Sequence, residues 1–139
     1  MLTAALAHWL DTQGLGVFGR AGTNLFLEEL PSSPVDAVAV GFKASPGPDL
    51  SGYDRQGIQL TVRHKTGSGR TRPGWTRANE LRDALHGLRH ITLAPGTPDE
   101  QRVVWCLSDD AGPTNLGDDA IGVPRWSLRF TLLVPGLDL

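Results

Sequence analysis

The chain has a single cysteine, Cys106, among 139 residues. No intramolecular disulfide can form, so the fold must rest on its packed core. The thiol reads as a small buried hydrophobe in a strand. Nothing beside it in the sequence offers the base or the lowered pKa that a nucleophile needs. Long apolar runs are missing too, and none is long enough to span a bilayer. The start, Met1-Leu2-Thr3-Ala4-Ala5-Leu6, lacks the basic residues and apolar stretch of a signal peptide. These absences predict a chain made and assembled in the cytoplasm, with no membrane partner. Neither sign of charge dominates: the formal net charge is −2, which argues against a surface wholly devoted to a polyanion.

Motifs of catalysis and cofactor binding are absent as well. There is no Ser–His–Asp order with an elbow and no dinucleotide fingerprint. Gly67-Ser68-Gly69 is too short and wrongly ordered for a phosphate loop. His86 and His90 are four apart, a spacing used in metal sites, but Gly87 breaks the expected helix between them. The sequence therefore predicts no enzyme, no cofactor and no metal.

What remains is a chain of ordinary globular composition, 40% hydrophobic and 20% charged, with length for one domain. Leu2, Leu6, Trp9 and Leu10 make one stripe and predict a helix over residues 2–13, with Gly14 as its stop. Trp75, Ala78, Leu81, Leu85 and Leu88 predict a second helix over residues 75–88, ended near Gly87. Leu25–Leu27 is a short strand candidate. Ala37–Phe42 is a stronger one, with Val38, Val40 and Phe42 on one face and a small face suited to a helix. Ile58, Leu60 and Val62 alternate with polar residues, as do Trp126, Leu128, Phe130, Leu132 and Val134. Arg102–Leu107 should pair antiparallel with that last strand. All four tryptophans fall on expected apolar faces.

The order is helix, two strands, helix, two strands. It predicts one α+β domain over residues 1–139: an antiparallel sheet of four strands or slightly more, covered by two helices, in the order α-β-β-α-β-β. Long loops are expected at 44–52, 64–74 and 108–124.

Two of these loops carry charge. Asp109, Asp110, Asp118 and Asp119 fall in the last. Their spacing does not fit a calcium loop, and they read as a solvated loop or a docking surface for a basic partner. Lys65, Arg70, Arg72 and Arg77 flank the glycine-rich loop. In an oligomer they would meet the acidic loop of a neighbour, a pairing that fixes register more than affinity.

Several segments between Gly14 and Leu88 recur in order in one known family. They are Gly14-Leu15-Gly16, Asn24-Leu25-Phe26, Leu30-Pro31 with Pro34, Val38-Ala39-Val40, Gln59-Leu60-Thr61-Val62-Arg63 and Arg82-Asp83-Ala84-Leu85-His86-Gly87-Leu88. The chain resembles phage proteins described as minor capsid or tail-terminator proteins of long-tailed phages. That resemblance implies a structural virion protein of the tail and neck. Such a subunit forms a ring with itself, usually a hexamer, on the finished tail tube. It stops polymerisation and meets the neck protein, and DNA would pass through the lumen without specific binding. The alternatives are a head- or tail-completion adaptor of the neck, a small nucleic-acid-binding module using residues 63–77, and a hydrolase built on the acidic loop.

Overall fold

The computed structural model describes residues 2–48, 52–65, 73–120 and 122–136. Two helices, α1 (Leu2–Thr12) and α2 (Pro73–Leu85), accompany seven strands. These are β1 (Leu25–Leu27), β2 (Ala37–Pro48), β3 (Tyr53–Arg63), β4 (Arg89–Leu93), β5 (Gln101–Ser108), β6 (Thr114–Asp118) and β7 (Pro124–Pro135). They join in one sheet of order β1-β2-β3-β7-β5-β4, with β6 attached to β7 off this path. The β1–β2 pair is parallel and the other pairs are antiparallel.

The expected fold is thereby corrected. The chain is not an antiparallel sheet covered by two helices in the order α-β-β-α-β-β; it is mostly β, with a curled, mixed seven-stranded sheet. The additions have physical reasons. β1, expected as a short strand, pairs parallel with β2, Leu25 opposite Val38, a direction that side-chain period alone cannot set. β6 is exposed at every position, so no apolar alternation marks it. β2 runs on through Pro48, inside the stretch expected as a loop at 44–52. Most of the loop expected at 64–74 lies outside the described residues, and the stretch 108–124 contains β6.

β7 is the strand on which the sheet is built. One edge pairs with β3 along its whole length, from Arg63↔Arg125 to Tyr53↔Pro135. The other edge is shared: β6 takes residues 124–127 and β5 takes residues 130–133. Between them the Asp109 N–H donates to the Arg129 carbonyl at 2.8 Å, so the junction is not left open.

Period two divides the sheet into faces. Val38, Val40, Ile58, Leu60, Val62, Leu128, Phe130 and Leu132 point into the core with α1 and α2 side chains such as Leu6, Leu10, Leu81 and Leu85. Phe42 shares the parity of Val38 and Val40 but stands beyond the end of β1 and is 47% exposed. The small face of β2 is not covered by a helix as expected. Both helices pack on the other face, and residues 28–36 fold over Ala37, Ala39 and Gly41 instead.

α1 touches β1, β2 and β4, strands at opposite ends of the sheet order, so it lies across the opening of the curl. Leu2 through Ala7 are all buried there. The helix ends as expected at Gly14, whose φ is +75°. The Leu15 N–H donates to the Leu10 carbonyl and the Gly14 N–H to the Asp11 carbonyl, both at 2.9 Å, a pattern that left-handed glycine permits. α2 opens with Pro73 at its first position, where the absent N–H costs nothing.

Gly74 is required by packing. A Cβ there would stand 2.6 Å from Cδ1 of Trp126, and that indole is buried. Gly74→Ala should therefore destabilise the fold by about 1–3 kcal/mol through overpacking, despite alanine's better helix propensity. Urea unfolding of the variant measures this; an unchanged or raised midpoint would show that the indole moves aside freely. The tryptophans were expected on apolar faces, in the core or, for one or two, at a subunit interface; Trp126 is buried, and Trp75 is 46% exposed on α2.

Candidate functional site

The face of the sheet away from the helices carries the polar residues of β3 and β7, among them Gln59, Thr61, Arg63, Arg125, Ser127, Arg129 and Thr131. The acidic loop folds back onto it. Arg129 grips Asp110 with two hydrogen bonds, Nε to Oδ2 at 2.9 Å and Nη2 to Oδ1 at 2.7 Å. Asp109 accepts from the Thr131 hydroxyl at 2.7 Å and pairs with Lys43 Nζ at 2.7 Å. Two strands, β2 and β7, thus hold the start of the loop flat against the sheet.

The Arg129 guanidinium holds the Asp110 carboxyl below its ordinary value of 3.8. A carboxylate whose pKa is depressed on folding stabilises the fold above its unfolded pKa, and that contribution fades as pH falls through the folded one. The pair is exposed, so the effect is small. The stability gap between wild type and Asp110→Asn should be present at neutral pH and close below the ordinary value of 3.8. Thermal midpoints across the acid range check this, and a gap that persisted in acid would remove the ion pair as its cause.

At the other end of the same face lies Arg63, buried and engaged on every side. Its Nε donates to the Val35 carbonyl at 2.8 Å and its Nη1 to Asp119 at 2.8 Å. Its Nη2 donates to the carbonyls of Pro31 and Pro34. Asp119 also closes its own turn, accepting from the Val123 N–H at 3.2 Å. One guanidinium therefore ties β3, the 28–36 segment and the end of the acidic loop together.

Beside it opens a cavity of about 340 Å³, lined by Glu28, Glu29, Leu30, Thr61, Arg63, Asp119 and Arg125. Arg125 is the cross-strand neighbour of Arg63, and its Nε is buried without a hydrogen-bond partner among the described residues.

The charged residues singled out from the sequence thus separate. Asp109, Asp110 and Asp119 are held within the chain, whereas Asp118 is exposed at the end of β6. The Lys65 N–H donates to Asp36 at 2.6 Å and the residue is exposed. Arg77 bonds the Leu15 carbonyl and pairs with Glu80 at 3.2 Å, joining α2 to the segment after α1. Arg70 and Arg72 lie outside the described residues. Glu28, Glu29, Lys43, Arg125 and Arg129 were not singled out, and Arg63 entered only as part of the 59–63 segment and the 63–77 stretch. Arg63 and Asp119 are 56 positions apart, and no short-range pattern links them.

The histidine pair does not share a helix face. His86 follows α2 and its Nδ1 accepts the Ser108 N–H at 2.9 Å, while His90 is in β4. Among the described residues no three His, Cys, Asp or Glu side chains gather as metal ligands. Burial pushes the Cys106 thiol up to about 12, the reverse of a reactive cysteine.

The fold is shared with a solved chain described as "Virion of native gene transfer agent (GTA) particle", at a TM-score of 0.61 and 18% identity, covering 97% of this chain and 98% of that one. The chain belongs to the family described as bacteriophage tail terminator protein, which matches residues 9–134. It is a structural protein of the phage virion, working among other structural proteins. No curated protein matches it.

Proposed function

We propose that this chain is the terminator of its tail: a ring, six-fold, at the head-proximal end of the tail tube that stops polymerisation and joins the tail to the neck. The family match over residues 9–134 carries the reading. The architecture supports it. The sheet has distinct edges at β1 and β4, suited to head-to-tail contacts that close by rotation. Each subunit repeats a weak contact around the ring, so binding to tube and neck is multivalent. DNA passes through the lumen without specific recognition. The charged interface set of Asp109, Asp110, Asp118, Asp119, Lys65, Arg70, Arg72 and Arg77 enters this proposal unequally. Asp118 and Lys65, exposed, face partners, while Asp109, Asp110 and Asp119 shape the surface that partners meet.

The nucleic-acid alternative drew on residues 63–77. Arg63 and Arg77, its arginines among the described residues, spend hydrogen bonds inside the chain.

The test is the mass of the purified protein alone and with cognate tail tubes, followed by imaging. Rings, or a cap that halts growth at one tube end, are expected. A monomer that ignores tubes would sink the proposal.

A further inference from the structure

Beyond Thr131 the polar face of the sheet turns apolar. By register, Arg55 of β3, Leu133 of β7, Trp105 of β5 and Arg89 of β4 stand in one row across four strands. Leu107, two residues along β5 from Trp105, is 41% exposed, and Tyr53, two residues along β3 from Arg55, is exposed as well. A sheet face in water ordinarily keeps such side chains for its other side. Exposed apolar side chains gathered within a charged rim mark a contact surface. That rim is uncompensated. Lys43 is matched by Asp109 and Arg129 by Asp110 on the same face. Arg55 and Arg89 have no acidic partner among the described residues.

The opposite end of β7 carries the complement. β6 lies against residues 124–127, whereas the patch lies against residues 131–135. At about 3.3 Å per residue the two stand about 20 Å apart along the strand. β6 is exposed at every position, and its Leu116 is 40% exposed. Asp118 has no cationic partner among the described residues. Arg125, on the adjoining strand, lines the cavity with Glu28 and Glu29, so this end keeps an excess of negative charge. The spacings also agree. Leu116 and Asp118 are two positions apart, within about 7 Å. Leu107 and Arg89 are diagonal neighbours, because Arg89 pairs with Trp105, and such neighbours are about 7 Å apart.

We propose that β6 of a second copy of this chain docks on this patch, its Leu116 against Leu107 and Trp105 and its Asp118 against Arg89. The two surfaces are different and sit at opposite ends of β7. Each copy can therefore receive one neighbour and be received by another, the head-to-tail arrangement that closes into a ring. The apolar residues supply attraction and the charges fix register. The inference rests on the ring reading above and names a contact that closes the ring.

The experiment compares wild type, Asp118→Arg, Arg89→Asp and the two changes combined. Sedimentation gives the oligomeric state, tube capping the activity, and circular dichroism the fold. Both positions are exposed, so folding should be retained. Each reversal alone should weaken association and capping by about tenfold or more, and the combined swap should restore both. A further variant, Leu107→Cys/Leu116→Cys, is oxidised mildly in the presence of cognate tubes. A disulfide needs Cα atoms within about 7 Å, and β5 and β6 hold these positions too far apart in one subunit, so any bond joins two copies. Cys106 is buried and stays out of the reaction. A ladder of linked subunits is expected. If wild type caps tubes and either the swap fails to rescue or the ladder is missing, the terminator reading stands and this contact is wrong. Reversals that cap as well as wild type overturn it in the same way. If wild type neither forms rings nor caps tubes, the ring reading fails and takes this contact with it.

Discussion

Arg63→Ala should lower the stability of the isolated subunit by about 3–5 kcal/mol, the cost typical of breaking a buried ion pair by removing one partner. The side chain is 4% exposed and that of Asp119 is 11% exposed, so water cannot readily replace what is lost. Three backbone carbonyls, those of Pro31, Pro34 and Val35, lose their donor in the same step. Arg63→Lys should rescue little. One ammonium cannot reproduce a planar fork that reaches four acceptors in different directions. Removing the stranded carboxylate as well, in Arg63→Ala/Asp119→Asn, should cost less than the two single changes added together. Urea unfolding of the four proteins measures the coupling. Additive losses would mean that Arg63 and Asp119 act independently, contrary to their 2.8 Å contact.

The second large effect is in the apolar core. Phe130 is fully buried at the centre of β7, between Ile58 of β3 and Ser108 of β5. Phe130→Ala removes most of a buried aromatic and leaves a cavity, at about 3–5 kcal/mol. Domains of this kind have about 5–15 kcal/mol in total, so the variant should be marginal at physiological temperature. A thermal scan decides it. A fall of only a degree or two would show that the sheet and helices collapse into the space. Phe130→Leu should recover much of the loss, since it restores most of the volume.

The two sites differ in how far the sequence discloses them. Phe130 declares itself: Trp126, Leu128, Phe130, Leu132 and Val134 alternate without a fault, and all are buried. The same rule made the β2–β3 pair readable across a short connection, and alternation alone made the β5–β7 pair readable across the acidic loop. It fails for Arg63, which sits on the polar side of an equally regular strand. Period two assigns that side to solvent, yet residues 28–36 cover it, and nothing local announces the cover. β6 was unreadable for a related reason, since Thr114–Asp118 has no buried face. β1 has three residues, and its parallel partner is set by tertiary packing. The acidic loop was visible as a run of aspartates, but their counter-charges, Lys43, Arg63 and Arg129, come from β2, β3 and β7.

The divided partnership of β7 has a mechanical meaning. A pull along β7 is carried by a continuous ladder to β3 on one edge and by β6 and β5 in succession on the other. Those bonds lie across the direction of pull, so many must slide at once before any one separates. The strand acts as a tie-rod from one end of the subunit to the other, and the Asp109–Arg129 backbone bond is the splice where its second ladder changes hands.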